Sequence, residues 1–291
     1  MALLSSPRSI SAVRVGYVGA RDGAERLARN GLALTGWAAP DGARSLAERA
    51  DVVVIGAPVG ERFEAAHALV SEGRHVFLAW PPGVSTDEAK RLARRAEEAG
   101  VEVGAARPLP VSGLLRVVPP DFAARLVTVA LVVSPASPIA ETPWPHRIAG
   151  ALDVCATLAG TRDAARLDAQ AERDGGDLRT VAFSVRFRTG AYAQATLRTA
   201  PAGAGPPDVV RVNASGPGRH VSAQSFDGPL CIEGPDGGRQ PVDAPDGLPS
   251  DVREALSFVD AVAAQRRAPF GLADALATMR LAEAVGEKLR G

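Results

Sequence analysis

Between Val13 and Gly104 the sequence alternates short apolar runs with amphipathic segments, and this alternation constrains the fold more than any other feature of the chain. The runs are Val13–Val18 (VRVGYV), Leu32–Trp37, Asp51–Gly56 (DVVVIG), Val76–Leu78 and Val101–Gly104. A strand that stays apolar at consecutive positions is covered on both faces, which points to a parallel sheet between layers of helices. The intervening segments carry helical signals. Ala24–Asn30 is a short helix, Asp41–Ala50 is helix-prone, and Glu61–Glu72 is a helix that Gly73 can terminate in the left-handed conformation. Ser85-Thr86-Asp87-Glu88 reads as a capping box for a helix running to Glu98 and stopped by Gly100. Residues 13–107 are therefore expected to form a trimmed Rossmann-like parallel sheet, preceded by a loose arm over residues 1–12.

The pattern changes at Arg107. Pro108, Pro110 and Pro119-Pro120 break the chain, and later strands alternate in the antiparallel manner. Val181, Phe183, Val185 and Phe187 share one face of a strand whose other face carries Ser184, Arg186 and Arg188. Thr189-Gly190 turns it into Ala191–Leu197. Ala124–Val133, Val209–Asn213, His220–Ala223 and Leu230–Glu233 add strands, Ile148–Ala159 a helix, and Asp251–Gln265 and Leu272–Leu289 two closing helices. Residues 108–291 are expected to be one α+β domain with a largely antiparallel sheet. The fold class is thus α/β followed by α+β.

Composition narrows the function. The 33 basic and 33 acidic residues cancel, which gives no support for a nucleic-acid or anionic-membrane partner. The longest apolar run, Leu126–Val133, is too short to span a bilayer, and the start MALLSSPRSISA lacks the apolar core of a signal peptide, so the expected location is the cytoplasm. Cys155 and Cys231 make neither a metal spacing nor a disulfide framework and are expected to be packing residues; no metal site is expected.

A strand, then Gly19, then a helix is where a dinucleotide fold places its phosphate loop. Three glycines are needed there, for the turn, for backbone approach to the pyrophosphate and for helix–strand packing. Gly19 supplies the first, Arg21 stands at the second place and Ala24 at the third. The acid that would hold a ribose hydroxyl is replaced by Ala39.

The chain resembles the glucose–fructose oxidoreductase / inositol dehydrogenase (Gfo/Idh/MocA) family. The likeness is carried by DVVVIGAPVGERFEAAHALVSEGRHVFLAWPPGVSTDEAKRLARRAEEAGV, by GALDVCATLAG, and by DVREALSFVDAVAAQRRAPFGLADALATMRLAEAV. It covers residues 13–291 and implies the family's two-domain fold and NAD(P)-dependent redox chemistry. The motifs that would carry that chemistry depart together. Where the family has Glu-Lys-Pro, with a lysine that meets nicotinamide and substrate, this chain has Ala79-Trp80-Pro81. Where it has Thr-Pro-Asn, this chain has Ala57-Pro58-Val59. The family's Asp and His, four residues apart, fall at His146 and Gly150. The segment between Arg21 and Asp51 is also shorter than the resemblance implies.

The expected function is therefore a cofactor-independent acid/base step on a small-molecule substrate, such as an isomerisation, cyclisation or elimination. His146 is the candidate proton carrier, a role suited to imidazole, and Asp153 its candidate orienting partner. Trp80 would wall the substrate, Arg107 would hold an anionic oxygen, and Glu141 and Asp121 are candidates in the loops over the cleft. The alternative is an NADP-dependent oxidoreductase in which Gly19, Arg21, Arg44, Pro58 and Pro81 line the cofactor, Arg44 reaching a 2′-phosphate. A third possibility is a non-catalytic partner subunit. The resemblance implies a homodimer through the C-terminal sheet.

Overall fold

In the computed structural model, residues 13–82, 86–109, 115, 118, 122–134, 142–200, 209–223, 230–233, 236–242 and 248–290 are described. The expected arm over residues 1–12, Ser85 of the capping box, Asp121 and Glu141 lie outside them. The chain divides into two units: residues 1–107 with 248–276, and residues 108–247 with 277–291.

The first unit is built on β1 (Val15–Val18), β2 (Leu34–Ala38), β3 (Val52–Ile55), β4 (His75–Leu78) and β5 (Val103–Ala105). They form one sheet in the order β2-β1-β3-β4-β5, and every pairing is parallel. The crossovers are α1 (Arg21–Arg29), a 3-10 helix over Pro40–Leu46, α2 (Val59–Ser71) and α3 (Thr86–Ala99). The helix-prone segment Asp41–Ala50 closes into that single 3-10 element, so the β2-to-β3 crossover is short. Strand side chains alternate between two cores. Val18, Val53, Ile55, Val76 and Leu78 pack with Leu46, Leu69 and Leu92 from the 3-10 helix, α2 and α3. Val15, Tyr17, Val52, Val54 and Phe77 face Ala24 and Leu27 of α1 on the other side.

α1 is nine residues long and covers only part of that second face. The remainder is covered by α5 (Ser250–Ala263), whose Val252, Ala255, Phe258 and Val259 join the same core. Phe258 lies so close to β5 that a Cβ on Gly104 would stand 2.5 Å from its ring. Residues 248–276, expected from the sequence in the second domain, thus belong to the first, because its sheet has an apolar face that α1 leaves open.

The second unit holds an eight-stranded sheet in the order β13-β12-β11-β10-β6-β9-β8-β7. Its strands are β6 (Leu126–Val133), β7 (Ala164–Asp174), β8 (Asp177–Phe187), β9 (Tyr192–Thr199), β10 (Val209–Gly216), β11 (Arg219–Ala223), β12 (Leu230–Glu233) and β13 (Arg239–Val242). The β6–β9 pairing is parallel and the others are antiparallel. Val127, Val129, Val181, Phe183, Ala193, Ala195, Val210 and Val212 are buried on the inner face. There α4 (Trp144–Leu158) packs against β6 and β9. β7 escaped prediction because it is an edge strand with both faces largely exposed and no alternation to read. The last helix, α6 (Leu272–Lys288), closes the chain.

Candidate active site

In an open parallel sheet the ligand crevice lies at the carboxyl ends of the strands, at the point where the strand order reverses. In the first unit that point is between β1 and β3. The helices that follow these strands, α1 and α2, have Ala20 and Pro58 at their N-caps, and neither N-cap makes a side-chain hydrogen bond. Gly19 donates its N–H to Ala38 O at 3.1 Å, and its own carbonyl accepts the Trp37 indole N–H at 2.8 Å.

Of the residues expected to line a cofactor, Gly19 and Pro58 sit at these turns. Arg21 begins α1, but its side chain turns along the helix to Glu25 at 3.0 Å and remains exposed. Arg44 does not approach the crevice. It pairs at 2.9 Å with Glu72, the C-cap residue of α2, at the amino ends of the strands, because the chain runs back from β2 through the 3-10 helix before reaching Arg44.

The β3 and β4 ends are joined by a residue that sequence reasoning missed. Arg62, buried in the first turn of α2, donates Nε to Ala57 O at 2.6 Å and Nη1 to Ala79 O at 3.2 Å and to Pro81 O at 3.0 Å. Burial pushes its pKa down. The signal was present as Pro-x-x-x-Arg, and it occurs at two more helices. Arg147 follows Pro143 at the head of α4 and donates Nε to Thr142 O at 2.8 Å. Arg253 follows Pro249 at the head of α5 and donates Nη2 to Leu248 O at 2.8 Å. All three arginines are buried. A proline N-cap has no side-chain acceptor for the first-turn N–H groups. The arginine one turn later instead ties the helix to the carbonyl just ahead of the proline.

Trp80 and Arg107 come together around a third residue. Trp80, joined to Pro81 by a cis peptide bond, packs against the buried cluster of Ala105, Phe270 and Ala275. Arg107 places its guanidinium 4.7 Å from the centroid of the Phe270 ring, while its backbone N–H donates to Glu254 Oε2 at 2.8 Å. An indole, a phenyl ring and a guanidinium thus meet at the ends of β4 and β5. A guanidinium on an aromatic face keeps its charge and can still hold a carboxylate or carbonyl oxygen. Phe270 and Glu254 come from distant sequence, and no local spacing marked either one.

In the second unit, His146 lies half-buried in the first turn of α4, its N–H bonded to Pro143 O at 2.9 Å. Asp153 is fully buried. Its Oδ1 accepts from Arg162 Nη2 at 2.8 Å and from Thr157 Oγ1 at 3.3 Å, and Arg162 Nε also reaches Thr278 Oγ1 at 3.4 Å. Asp153 is held in an ion pair with Arg162. Gly150 is covered by Leu109, whose Cγ and Cδ1 would collide with any Cβ placed there. Among the described residues, no cluster of three His, Cys, Asp or Glu side chains that could hold a metal ion is present. No described helix is long and apolar enough to cross a membrane.

No family model matches the chain, and no curated protein matches it by sequence. Solved structures do match it. UDP-N-acetylglucosamine 3-dehydrogenase GnnA from Acidithiobacillus ferrooxidans is similar at 16% identity with a TM-score of 0.78, covering 95% of this chain and 97% of that one. An oxidoreductase from Agrobacterium radiobacter, in complex with NAD+, L-tartaric acid and magnesium, is similar at 15% identity and a TM-score of 0.71, covering 96% of each chain. Biliverdin reductase from Synechocystis sp. PCC 6803, in complex with biliverdin and NADP+, is similar at 14% identity and a TM-score of 0.68, covering 96% of this chain and 99% of that one. By name these neighbours are a dehydrogenase, an oxidoreductase and a reductase. At such identities the likeness is one of fold, and this chain has their two-domain fold.

Proposed function

We propose that this chain uses an oxidoreductase fold for an acid–base step on a small molecule bearing an anionic or carbonyl oxygen, without hydride transfer from a nicotinamide. Arg107 holds that oxygen, and Trp80 and Phe270 supply an apolar wall beside it. The observation that carries the reading is Leu109 over Gly150, the position at which the resemblance places a catalytic histidine. That place is filled by a packed leucine, and the place of the lysine is filled by Trp80, packed on Phe270. Neither an indole nor a leucine can hold or deliver the proton that accompanies hydride transfer at neutral pH. The side chains present also fit a nicotinamide dinucleotide poorly elsewhere, since Ala39 offers a ribose nothing and Arg44 is engaged by Glu72.

The test is calorimetric titration with NADPH and NADH, with absorbance followed at the reduced nicotinamide in the presence of candidate carbonyl substrates. The expected result is no hydride transfer. Cofactor oxidation at a rate that scales with enzyme would overturn the proposal. A second reading, an NADP-dependent oxidoreductase, is favoured by one observation: the α1 N-terminus lacks a side-chain cap, and free first-turn N–H groups attract phosphate.

The same reading includes a homodimer formed through the outer face of the second sheet. Leu126 and Tyr192 are direct neighbours on the paired strands β6 and β9, and they are 46% and 41% exposed. Such an apolar pair among polar strand residues suits the centre of an interface. Light scattering of the protein and of a Leu126→Arg/Tyr192→Arg variant is expected to show a dimer and a monomer respectively. A monomeric parent protein would rule the dimer out.

A further inference from the structure

Among the described residues, the Tyr17 side chain reaches all three glycines at the switch point, Gly19, Gly23 and Gly56. It leaves β1 on the α1 face, with Val15, Ala24 and Leu27, and its ring runs beneath the first turn of α1. A Cβ on Gly19 would stand 2.9 Å from the phenol oxygen, and a Cβ on Gly23 or Gly56 would collide with it. Gly19 has a φ of +145°, but Gly23 lies inside α1 and needs no unusual backbone. A glycine in the first turn of a helix costs stability unless something needs the space. Here the phenol needs it.

In a dinucleotide fold the first glycine of the phosphate loop makes the tight turn between β1 and α1; of the three glycines here only Gly19 stands at a fingerprint place. In this chain the space beside that turn is taken by an aromatic ring from the strand below. Burial pushes the Tyr17 pKa up, so the phenol stays protonated. Asp22 adds a carboxylate to the first turn of α1, where it already occupies the favourable end of the helix dipole.

We propose that Tyr17 is a specificity-determining residue: its phenol fills the glycine cradle at the head of α1, so the loop rejects a diphosphate and selects a ligand without one. This deepens the reading above and rests on it. Gly19, Gly23 and Gly56 are retained for Tyr17 rather than for a nucleotide.

The experiment is calorimetric titration of ADP and NADP+ into the parent protein and into Tyr17→Phe, Tyr17→Val and Tyr17→Leu, with a thermal melt of each. The parent and Tyr17→Phe, which keeps the ring, are expected to show no saturation below millimolar ADP. Tyr17→Val and Tyr17→Leu are expected to bind ADP at least tenfold more tightly. Micromolar ADP or NADP+ affinity in the parent, or cooperatively melting Val and Leu variants that bind no better, would overturn the assignment. A steric arm stands apart from binding. Gly23→Ala is expected to lower the melting temperature of the parent and to leave that of Tyr17→Val unchanged or raised. If Gly23→Ala leaves the parent's melting temperature unchanged, the phenol does not fill the cradle. Tight NADP+ binding without hydride transfer would refute this assignment alone, whereas hydride transfer would refute the function proposed above.

Discussion

Leu109 lies over Gly150 so closely that a methyl group on that glycine would come within 3.0 Å of Leu109 Cβ and overlap the rest of the side chain. Gly150 is therefore a packing glycine in the middle of α4. Gly150→Ala, which would ordinarily help a helix, is expected to destabilise the protein by about 1–3 kcal/mol through overpacking. Adding Leu109→Ala should recover part of that loss, so the two effects will not add. Denaturant melts of the two single variants and the double variant give the coupling.

Asp153 and Arg162 are expected to hold the second unit together without touching turnover. Asp153→Ala leaves Arg162 without its buried partner and should cost about 3–5 kcal/mol. A double replacement, Asp153→Leu with Arg162→Met, should cost less than the single one. Chemical denaturation measures both, and the same melts would show a merely surface-like pair if the single variant lost under about 1 kcal/mol.

Arg62 ties the β3 and β4 ends through three carbonyl oxygens. Arg62→Met keeps the apolar stem and removes the hydrogen bonds, each worth about 1.5–3 kcal/mol for a charged donor. The expected result is a lower melting temperature together with a changed emission of Trp80, read in a background where Trp37 and Trp144 are phenylalanine. Arg62→Lys should restore little, because one ammonium cannot span all three acceptors.

His75 stands at the start of β4, where its Nδ1 accepts the Glu102 N–H at 3.0 Å. Burial lowers its pKa, an effect larger than the opposing pull of Glu102 and Asp51. The folded state therefore prefers the neutral ring. The stability this contributes is complete above the unfolded pKa, about 6.5, and is lost as pH falls from there through the folded value. Urea melts between pH 8 and pH 5 should show this decline, and His75→Asn, which keeps an acceptor, should flatten it.

Cys155 is fully buried, and its thiol is pushed up to about 12 by burial, with Asp153 adding to the shift. A disulfide reagent at pH 8 should label Cys231, which is partly exposed, and should reach Cys155 only as the protein unfolds. Equal labelling rates for the two thiols would contradict the packing of α4.

Much of this architecture is legible in the chain. DVVVIG and HVFL read as strands covered on both faces because each successive side chain meets a different buried layer, and Val53 and Val54 do face opposite cores. The site is legible only in part. Trp80 and Arg107 were placed at strand ends from strand position alone, and both are found there. Arg44 was not, because helical periodicity does not say which end of a sheet a crossover residue meets. β7 was missed for want of alternation, and α5 was assigned to the wrong unit because an amphipathic helix advertises an apolar face without naming its partner.

The sequence by itself determined the order of strands and helices and the turn at Trp80-Pro81, because each is a local property of residue type and spacing. The tertiary structure alone decided that Phe270 stands between Trp80 and Arg107, that Leu109 covers Gly150, and that Tyr17 consumes the space of Gly19, Gly23 and Gly56. Phe270 and Trp80, Leu109 and Gly150, and Tyr17 and Gly56 are far apart in the chain. Their geometry follows from how side-chain volumes fill a close-packed interior, and no periodicity along the chain encodes it.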